Sequence, residues 1–486
     1  MDIKRSEHPV VPTKLGHPSR GTQQREGDAG GTDPQVGNVT GQPGSETTYT
    51  KLLRIAELAR LGPTTVFTSL AHHIDVAFLR EAHARTRKDG ATGVDGQTAQ
   101  QYAQDLEGNL TDLHERLKSG SYRAPPVRGA EIDKGNGKKR PLGIPTFEDK
   151  VLQRAVAMVL ESIYEQDFLP CSHGFRPGRS AHDALDELWQ EAMDMGGCWV
   201  LEADIQSFFD TLDHGALRGF LDRRVRDGVI RRAIDKWLKA GVLKGGSLRY
   251  RTEGTPQGGV ISPLLANIYL HEVLDVWFER EVKPRLAGRA RLIRYADDFV
   301  ILLTSEADAR RVLEVLPKRF GKFGLQLHPE KTRLIAFHKP DGPAGSAERR
   351  TALHSFDLLG FTHFWARSRK GHWVVRKKTM RTRLTRALQA IREWCRRHRH
   401  TRVSAQHQML SAKLTGHFQY YGVTGNYRAL AAFAHWVNRI WRYWLNRRDN
   451  RRTMPWARFN RLLLRYPLPP PRVARSIFRR PANLIP

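Results

Sequence analysis

The chain has 486 residues, 40% hydrophobic and 9% aromatic, which is enough to bury a sizeable interior in two or three packed units. No run approaches the ~18 apolar residues that a membrane-spanning helix needs. The opening stretch from Met1 to Gly21 has no apolar core, so we expect neither a secretory signal nor membrane attachment, and a cytosolic protein.

The net charge is +30, and it is unevenly placed. Residues 366–486 hold 29 lysines and arginines against only Glu393 and Asp449, a net of +27, and 25 of those cations are arginines. Solubility does not require one sign and one residue type. An arginine-dominated, aromatic-studded segment points to a polyanionic partner, because the planar guanidinium suits phosphate pairing and base stacking. Cys171, Cys198 and Cys395 form no CxxC pair. That excludes a zinc ribbon and argues against a disulfide framework. Most of the 20 histidines stand singly or inside basic runs such as His398-Arg399-His400, and we expect no metal ligands among them.

In chain order, residues 1–48 are polar, rich in Gly and Pro and without period, which predicts disorder. Helical spacing begins at Tyr49. Residues 131–145 read as a strand–turn–strand with its turn at Lys134-Gly135-Asn136-Gly137. A helix is predicted through Lys150–Leu160 and another over residues 264–279. Strands are expected at Trp199–Asp204 and on both sides of Asp297-Asp298. This interleaving through 130–365 predicts an α+β unit with an antiparallel sheet. After Trp373 the pattern turns almost wholly helical, and it ends in the proline-rich 467–471.

Two segments carry chemistry. In Leu292-Ile293-Arg294-Tyr295-Ala296-Asp297-Asp298-Phe299-Val300-Ile301, apolar runs flank two adjacent carboxylates, which reads as a tight hairpin with the acids at its tip. An ordinary Asx turn is the plainer reading, but two neighbouring carboxylates repel each other unless a cation sits between them. Trp199-Val200-Leu201-Glu202-Ala203-Asp204 delivers a third carboxylate at a strand end. Three such acids suit magnesium, and two ions held together suit in-line displacement at phosphorus.

An ordered series of motifs extends this pair. Arg140-Pro141-Leu142-Gly143-Ile144-Pro145 is followed by Gly174-Phe175-Arg176-Pro177-Gly178-Arg179-Ser180 and then Asp204 to Asp210. Thr255-Pro256-Gln257-Gly258-Gly259, Tyr295-Ala296-Asp297-Asp298, His328-Pro329-Glu330-Lys331-Thr332 and Leu359-Gly360-Phe361 complete it. The chain thereby resembles the group II intron-encoded reverse transcriptase/maturase family over roughly residues 50–460.

The resemblance implies a right-hand polymerase, with fingers and palm over 49–365 and a helical thumb/maturase RNA-binding domain over 366–450. A basic tail follows over 451–486, which either binds DNA or extends the RNA surface. It implies Asp204, Asp297 and Asp298 as catalytic ligands of two Mg2+ ions, with Asp210 and Asp213 structural. Lys134, Arg140, Phe209 and Gln257 would meet the nucleotide. Lys138 and Lys139 are alternative phosphate contacts. Phe209 would exclude a 2′-hydroxyl from beneath the sugar, or else is a plain core aromatic.

Arg176 and Arg179 would touch template RNA. Tyr420, Tyr421, Arg396, Arg397, Arg399, Arg439 and Arg442 would touch intron RNA, mainly through its backbone and shape. Trp436, Trp441 and Trp444 are either part of that surface or core. The implied partners are intron RNA, an RNA template with a DNA primer, deoxynucleoside triphosphates and target DNA, the last of which would bring the protein to the nucleoid. Many relatives carry an HNH endonuclease with cysteine pairs beyond this point. None is read here, so second-strand cleavage is not expected. Retron, diversity-generating or CRISPR-associated reverse transcriptases and a splicing-only RNA-binding maturase remain the alternatives.

Overall fold

The computed structural model describes residues 47–133, 139–249, 254, 258–339, 354–448 and 454–476. The extension expected to be disordered lies outside the described residues up to Glu46, as do Lys134, Lys138 and Gln257. Among the described residues no helix is long and apolar enough to cross a membrane.

The described residues open with the helices α1 (Thr48–Leu61), α2 (Val76–Arg85), the one-turn α3 (Ala99–Tyr102) and α4 (Leu106–Ser119). A hairpin of β1 (Val127–Asp133) and β2 (Lys139–Ile144) follows, then α5 (Phe147–Asp167). Thr146 caps α5 by accepting from the Asp149 amide. From Val151 to Ile163 this helix is apolar on nearly every side and buried, the pattern of a central helix rather than a surface one.

Next come α6 (Ala181–Met195), β3 (Cys198–Asp204), the short α7 (Phe208–Thr211), α8 (His214–Asp222), α9 (Gly228–Leu238), β4 (Val242–Lys244) and β5 (Ser247–Arg249). Asp213 is the N-cap of α8. The helix expected at 264–279 is α10 (Ser262–Leu270), extended by wide π-type turns at His271–Asp275 and Phe278–Val282. The central hairpin is β6 (Ala290–Tyr295) and β7 (Asp298–Leu303), followed by α11 (Glu306–Gly321) and β8 (Arg333–Phe337).

The last sheet is β9 (Ser355–Leu358), β10 (Phe361–Arg367) and β11 (Trp373–Thr379). Helices α12 (Arg381–Arg397), α13 (Val403–Tyr421), α14 (Tyr427–Leu445) and α15 (Trp456–Arg465) complete the chain. The helical part thus starts at Arg381 and not at Trp373. The stretch Trp373–Thr379 alternates Trp, Val, Arg and Lys because it pairs antiparallel with β10.

Three sheets result. One has the order β2-β1-β4-β5, with β1 and β4 parallel; one is the antiparallel β6-β7-β3-β8; the third is β11-β10-β9. The four-stranded antiparallel sheet is buried on both faces. Leu201, Ala203, Leu292, Phe299 and Ile301 enter the main core around α5, whereas Val200, Ile293, Val300 and Leu302 enter a second core under α6 and the three-stranded sheet. Each such side chain taken from water contributes about 1.5–3 kcal/mol, which locks the strand register.

One expected boundary falls inside continuous structure, and another falls between elements that share a core. The cut at 365/366 lies within β10. The cut at 450/451 separates α14 from α15, although Phe459 of α15 is fully buried in the same core as Leu430, Val437 and Trp441. Asn426, between α13 and α14, latches the helices to the sheet: it accepts from the Thr379 amide and donates to the Thr379 hydroxyl.

Candidate active site

The β6–β7 register places Tyr295 opposite Asp298, leaving Ala296 and Asp297 as a two-residue turn. Such a turn needs positive φ, and Ala296 adopts φ 57°. The β3–β7 register then sets Asp204 directly opposite Asp298. Both lie on the same strand face as Val200, Val300 and Leu302, with Asp297 in the adjoining turn. The local β6–β7 hairpin and the long-range β3–β7 pairing together deliver three carboxylates to one sheet edge.

The surroundings charge this edge. Burial raises the Asp297 carboxyl above the ordinary range, helped by the neighbouring Asp204 charge and opposed by Arg140 and Arg294. Crowding by surrounding protein, then the charges of Asp297 and Asp204, push Asp298 up to about 6. Its outer surface stays open to the cleft, and solvent there softens the shift. The Lys331 ammonium sits 2.6 Å from Asp204 Oδ2, so a cation already meets the third acid.

An all-oxygen donor set that is destabilised by its own repulsion and attracts an ammonium fits a hard divalent cation. Among the described residues no three such groups close around a point as a finished cage. The all-oxygen donor chemistry is of the kind Mg2+ takes, held by one or two carboxylates with substrate phosphates and water making up the rest. Asp204, Asp297 and Asp298 are the residues that would hold it.

A cleft of about 350 Å³ opens from this edge, walled by Asp204, Asp298, Lys331, Leu359, Gly360 and Arg383. Its far wall is the β9–β10 turn, where Leu359 and Gly360 both take positive φ, 50° and 80°. Among the described residues the non-glycine positions with positive φ are Phe175, Ser207, Ala296 and Leu359, and each lies in one of the motif segments or at the end of β3. Left-handed backbone of this kind costs energy and collects at functional sites. At Gly174 the reason for glycine is close approach, since a Cβ there would lie 2.3 Å from the Ala296 nitrogen.

The support beneath the hairpin includes a residue that the sequence reading passed over. Arg294 is fully buried. Its guanidinium donates to both oxygens of Asp275 (2.7 and 2.5 Å), to Asn267 Oδ1 (3.0 Å), to Ser172 Oγ (2.7 Å) and to the Ala296 carbonyl (3.0 Å). Every donor of the fork is used. The available signal was an arginine on the face of β6 that otherwise carries Ala290 and Leu292, where a charge must be paired.

Several expected contacts are placed differently. Arg176 is buried and paired with Glu165 at 2.9 Å, and it also donates to the Leu169 and Ser172 carbonyls. It holds the motif loop and is not free to touch a template. Arg179 is half-buried and donates to the Pro170 carbonyl. Tyr420 donates its hydroxyl to the Leu359 carbonyl at 2.8 Å and stacks on Phe361, while the Tyr421 hydroxyl lies against Gly360. This pair buttresses the β9–β10 turn from behind, so the expected RNA contact gives way to packing. Arg442 is likewise turned inward, stacked 4.2 Å over Trp456 and donating to the Met454 carbonyl.

Arg396 and Arg397 are exposed and share Glu393, Arg399 donates to the Arg396 carbonyl, and Arg439 is exposed. Arg140 is exposed on β2, close enough for its charge to act on Asp297. Phe209 is half-buried against Phe208, ring centroids 5.3 Å apart. Lys134 and Gln257 lie outside the described residues. Gly258 packs against the Gly143 carbonyl near the end of β2.

The model of the family described as reverse transcriptase (RNA-dependent DNA polymerase) matches residues 132–363. The group II intron-encoded protein LtrA of Lactococcus lactis subsp. cremoris is 38% identical over 284 residues, 55% of this chain and 46% of that protein. The matched region thus spans less than half of that relative's length. Protein YkfC of Escherichia coli (strain K12) is 37% identical over 288 residues, 51% of this chain and 73% of that protein. Nuclear intron maturase 1, mitochondrial, of Arabidopsis thaliana is 30% identical over 95 residues, 20% of this chain and 13% of that protein. With three carboxylates on one sheet edge inside the matched region, the chain belongs to the reverse transcriptase family.

Proposed function

We propose that the protein is an RNA-directed DNA polymerase that also binds its own intron RNA to assist splicing and retrohoming. The reading is supported above all by the register that sets Asp204 opposite Asp298 with Asp297 in the turn, at the mouth of a cleft. In a right-hand arrangement β1–β2 would serve as fingers, the antiparallel sheet as palm and α12–α14 as thumb.

The reaction joins the primer 3′-oxygen to the α-phosphorus of a deoxynucleoside triphosphate. The bond from that phosphorus to the bridging oxygen breaks, pyrophosphate leaves, and the hydroxyl proton passes to water. Two Mg2+ ions, when bound, supply charge neutralisation for the attacking and leaving oxygens. The protein's own part is to keep the carboxylates on a rigid edge, with Lys331 and Arg383 adding positive charge beside the substrate phosphates. Leu359-Gly360, backed by the two tyrosines, presents a firm wall for the primer end. Lys134, Arg140 and Gln257 are assigned to the incoming triphosphate, and the exposed arginines of the helical part to RNA.

A DNA primer annealed to an RNA template should be extended with deoxynucleotides in Mg2+. Extension should stop on chelation and return on adding Mg2+ back. Extension on DNA templates alone, or none at all, would overturn the reading.

Phe209 provides a second expected result. If its ring underlies the sugar, Phe209→Val should shift the ratio of specificity constants toward ribonucleotides on the order of tenfold, the scale of a pocket change of this size. An unchanged ratio returns Phe209 to plain packing against Phe208.

A further inference from the structure

We propose that the outward face of α14 is a stacking platform for unpaired RNA bases. This rests on the RNA-binding reading above and names which part of the RNA the helix takes. Along α14, Leu430, Phe433, Val437, Ile440 and Trp441 point into the helical core. On another face, Trp436 and Tyr443 remain 46% and 47% exposed. Arg439 lies 5.0 Å over the Trp436 ring and Arg447 lies 3.6 Å over the Tyr443 ring.

Trp436, Arg439 and Tyr443 follow one face of α14, and Arg447 lies in the turn just past its last residue, Leu445. Together they make a strip of alternating rings and guanidinium planes, of which the helical part from Trp436 to Tyr443 is roughly 10 Å long at 1.5 Å per residue.

The inward pair shows the contrast. Arg442 over Trp456 is tied to the Met454 carbonyl and joins α14 to α15. Among the described residues, neither Arg439 nor Arg447 has a side-chain hydrogen bond or acidic partner. Phosphates alone would require the charge but not the rings. A second copy of this chain would bring two strongly positive segments together, in a region carrying +27 over residues 366–486. Unpaired bases meet both halves of the pattern, because their faces stack on aromatic rings and on arginine planes while the backbone meets the charge.

The test uses the full chain and three probes: a hairpin RNA with an unpaired loop, the same hairpin with abasic loop positions, and a fully paired RNA duplex of equal charge. Trp436→Ala and Tyr443→Ala should each weaken hairpin binding about tenfold. They should leave the duplex unchanged and the slope of log affinity against log salt unaltered. Arg439→Gln and Arg447→Gln should instead flatten that slope by roughly 0.7 for each phosphate pairing removed.

For the unaltered protein the abasic hairpin should bind as weakly as the loop hairpin does to the ring variants. Combining abasic loop and ring variant should cost no more than either alone. Equal loss on the duplex, or no loss on the abasic hairpin, overturns the platform. So does a change confined to the oligomeric state, which would assign the strip to a second copy. Should a ring variant fail to fold, as its melting curve would show, the abasic series on the unaltered protein still decides. Primer extension by the unaltered protein tests the polymerase reading separately, so either can fail alone.

Discussion

Replacing Asp297 with alanine should abolish DNA synthesis on an RNA template, with a loss of about a thousandfold or more. Charge stabilisation by metal at a transferring phosphoryl group is worth several kcal/mol, and each 1.36 kcal/mol is tenfold in rate. Binding of RNA should change little, because the arginine-rich surface lies on other elements. The measurement is single-turnover primer extension beside equilibrium RNA binding on the same preparation. Activity within tenfold of the parent would sink the assignment. Asp297→Asn should show the same loss and, without metal, a slightly higher melting temperature. Asp297 lies beside Asp204 and Asp298, and burial and that repulsion already raise its carboxyl. A neutral amide of equal size therefore removes an unfavourable charge.

The site's chemistry was legible in the sequence because it is written locally. Asp204 ends an apolar run and Asp297 and Asp298 sit between two others, while the meeting of the two segments comes from the long-range β3–β7 pairing. The supports were less legible. Arg294 looks locally like an outward residue of a strand. Only the fold shows that the face it occupies is covered, and that Asp275, on a π-type turn nineteen positions earlier, is its partner.

The two tyrosines were misread for a related reason. A Tyr-Tyr pair in a basic helical segment suits a nucleic-acid surface, but what they meet is Leu359 and Gly360, about sixty residues earlier in the chain. Arg176 followed the same pattern, since Glu165 completes its pair from the far end of α5. Residues that touch substrate are constrained by chemistry and can be seen singly. Residues that hold them are constrained by neighbours, which the order of the chain does not show.

Arg294 offers the other large effect. Arg294→Met should destabilise the protein by about 3–5 kcal/mol, because it leaves the Asp275 charge buried without a partner. A drop in activity would then be uninformative alone. The companion variant is Arg294→Met with Asp275→Leu, which removes both charges together and should recover most of the lost stability, since apolar replacement of a buried pair is often close to neutral. The double variant still lacks the donor to the Ala296 carbonyl and the bonds to Asn267 and Ser172. The left-handed turn carrying Asp297 would then keep its strands and the close approach of Gly174 but lose its side-chain anchor. Its melting temperature should approach that of the parent while kcat for primer extension falls at least about tenfold and KM for the nucleotide changes little, because a misplacement at the reacting centre costs rate more than binding. Arg294→Lys should lie between the two, since an ammonium keeps the charge but cannot reach five acceptors from one plane. Recovery of kcat together with stability in the double variant would show that Arg294 serves packing alone. Stability regained without kcat would mark it as the residue that positions the catalytic turn.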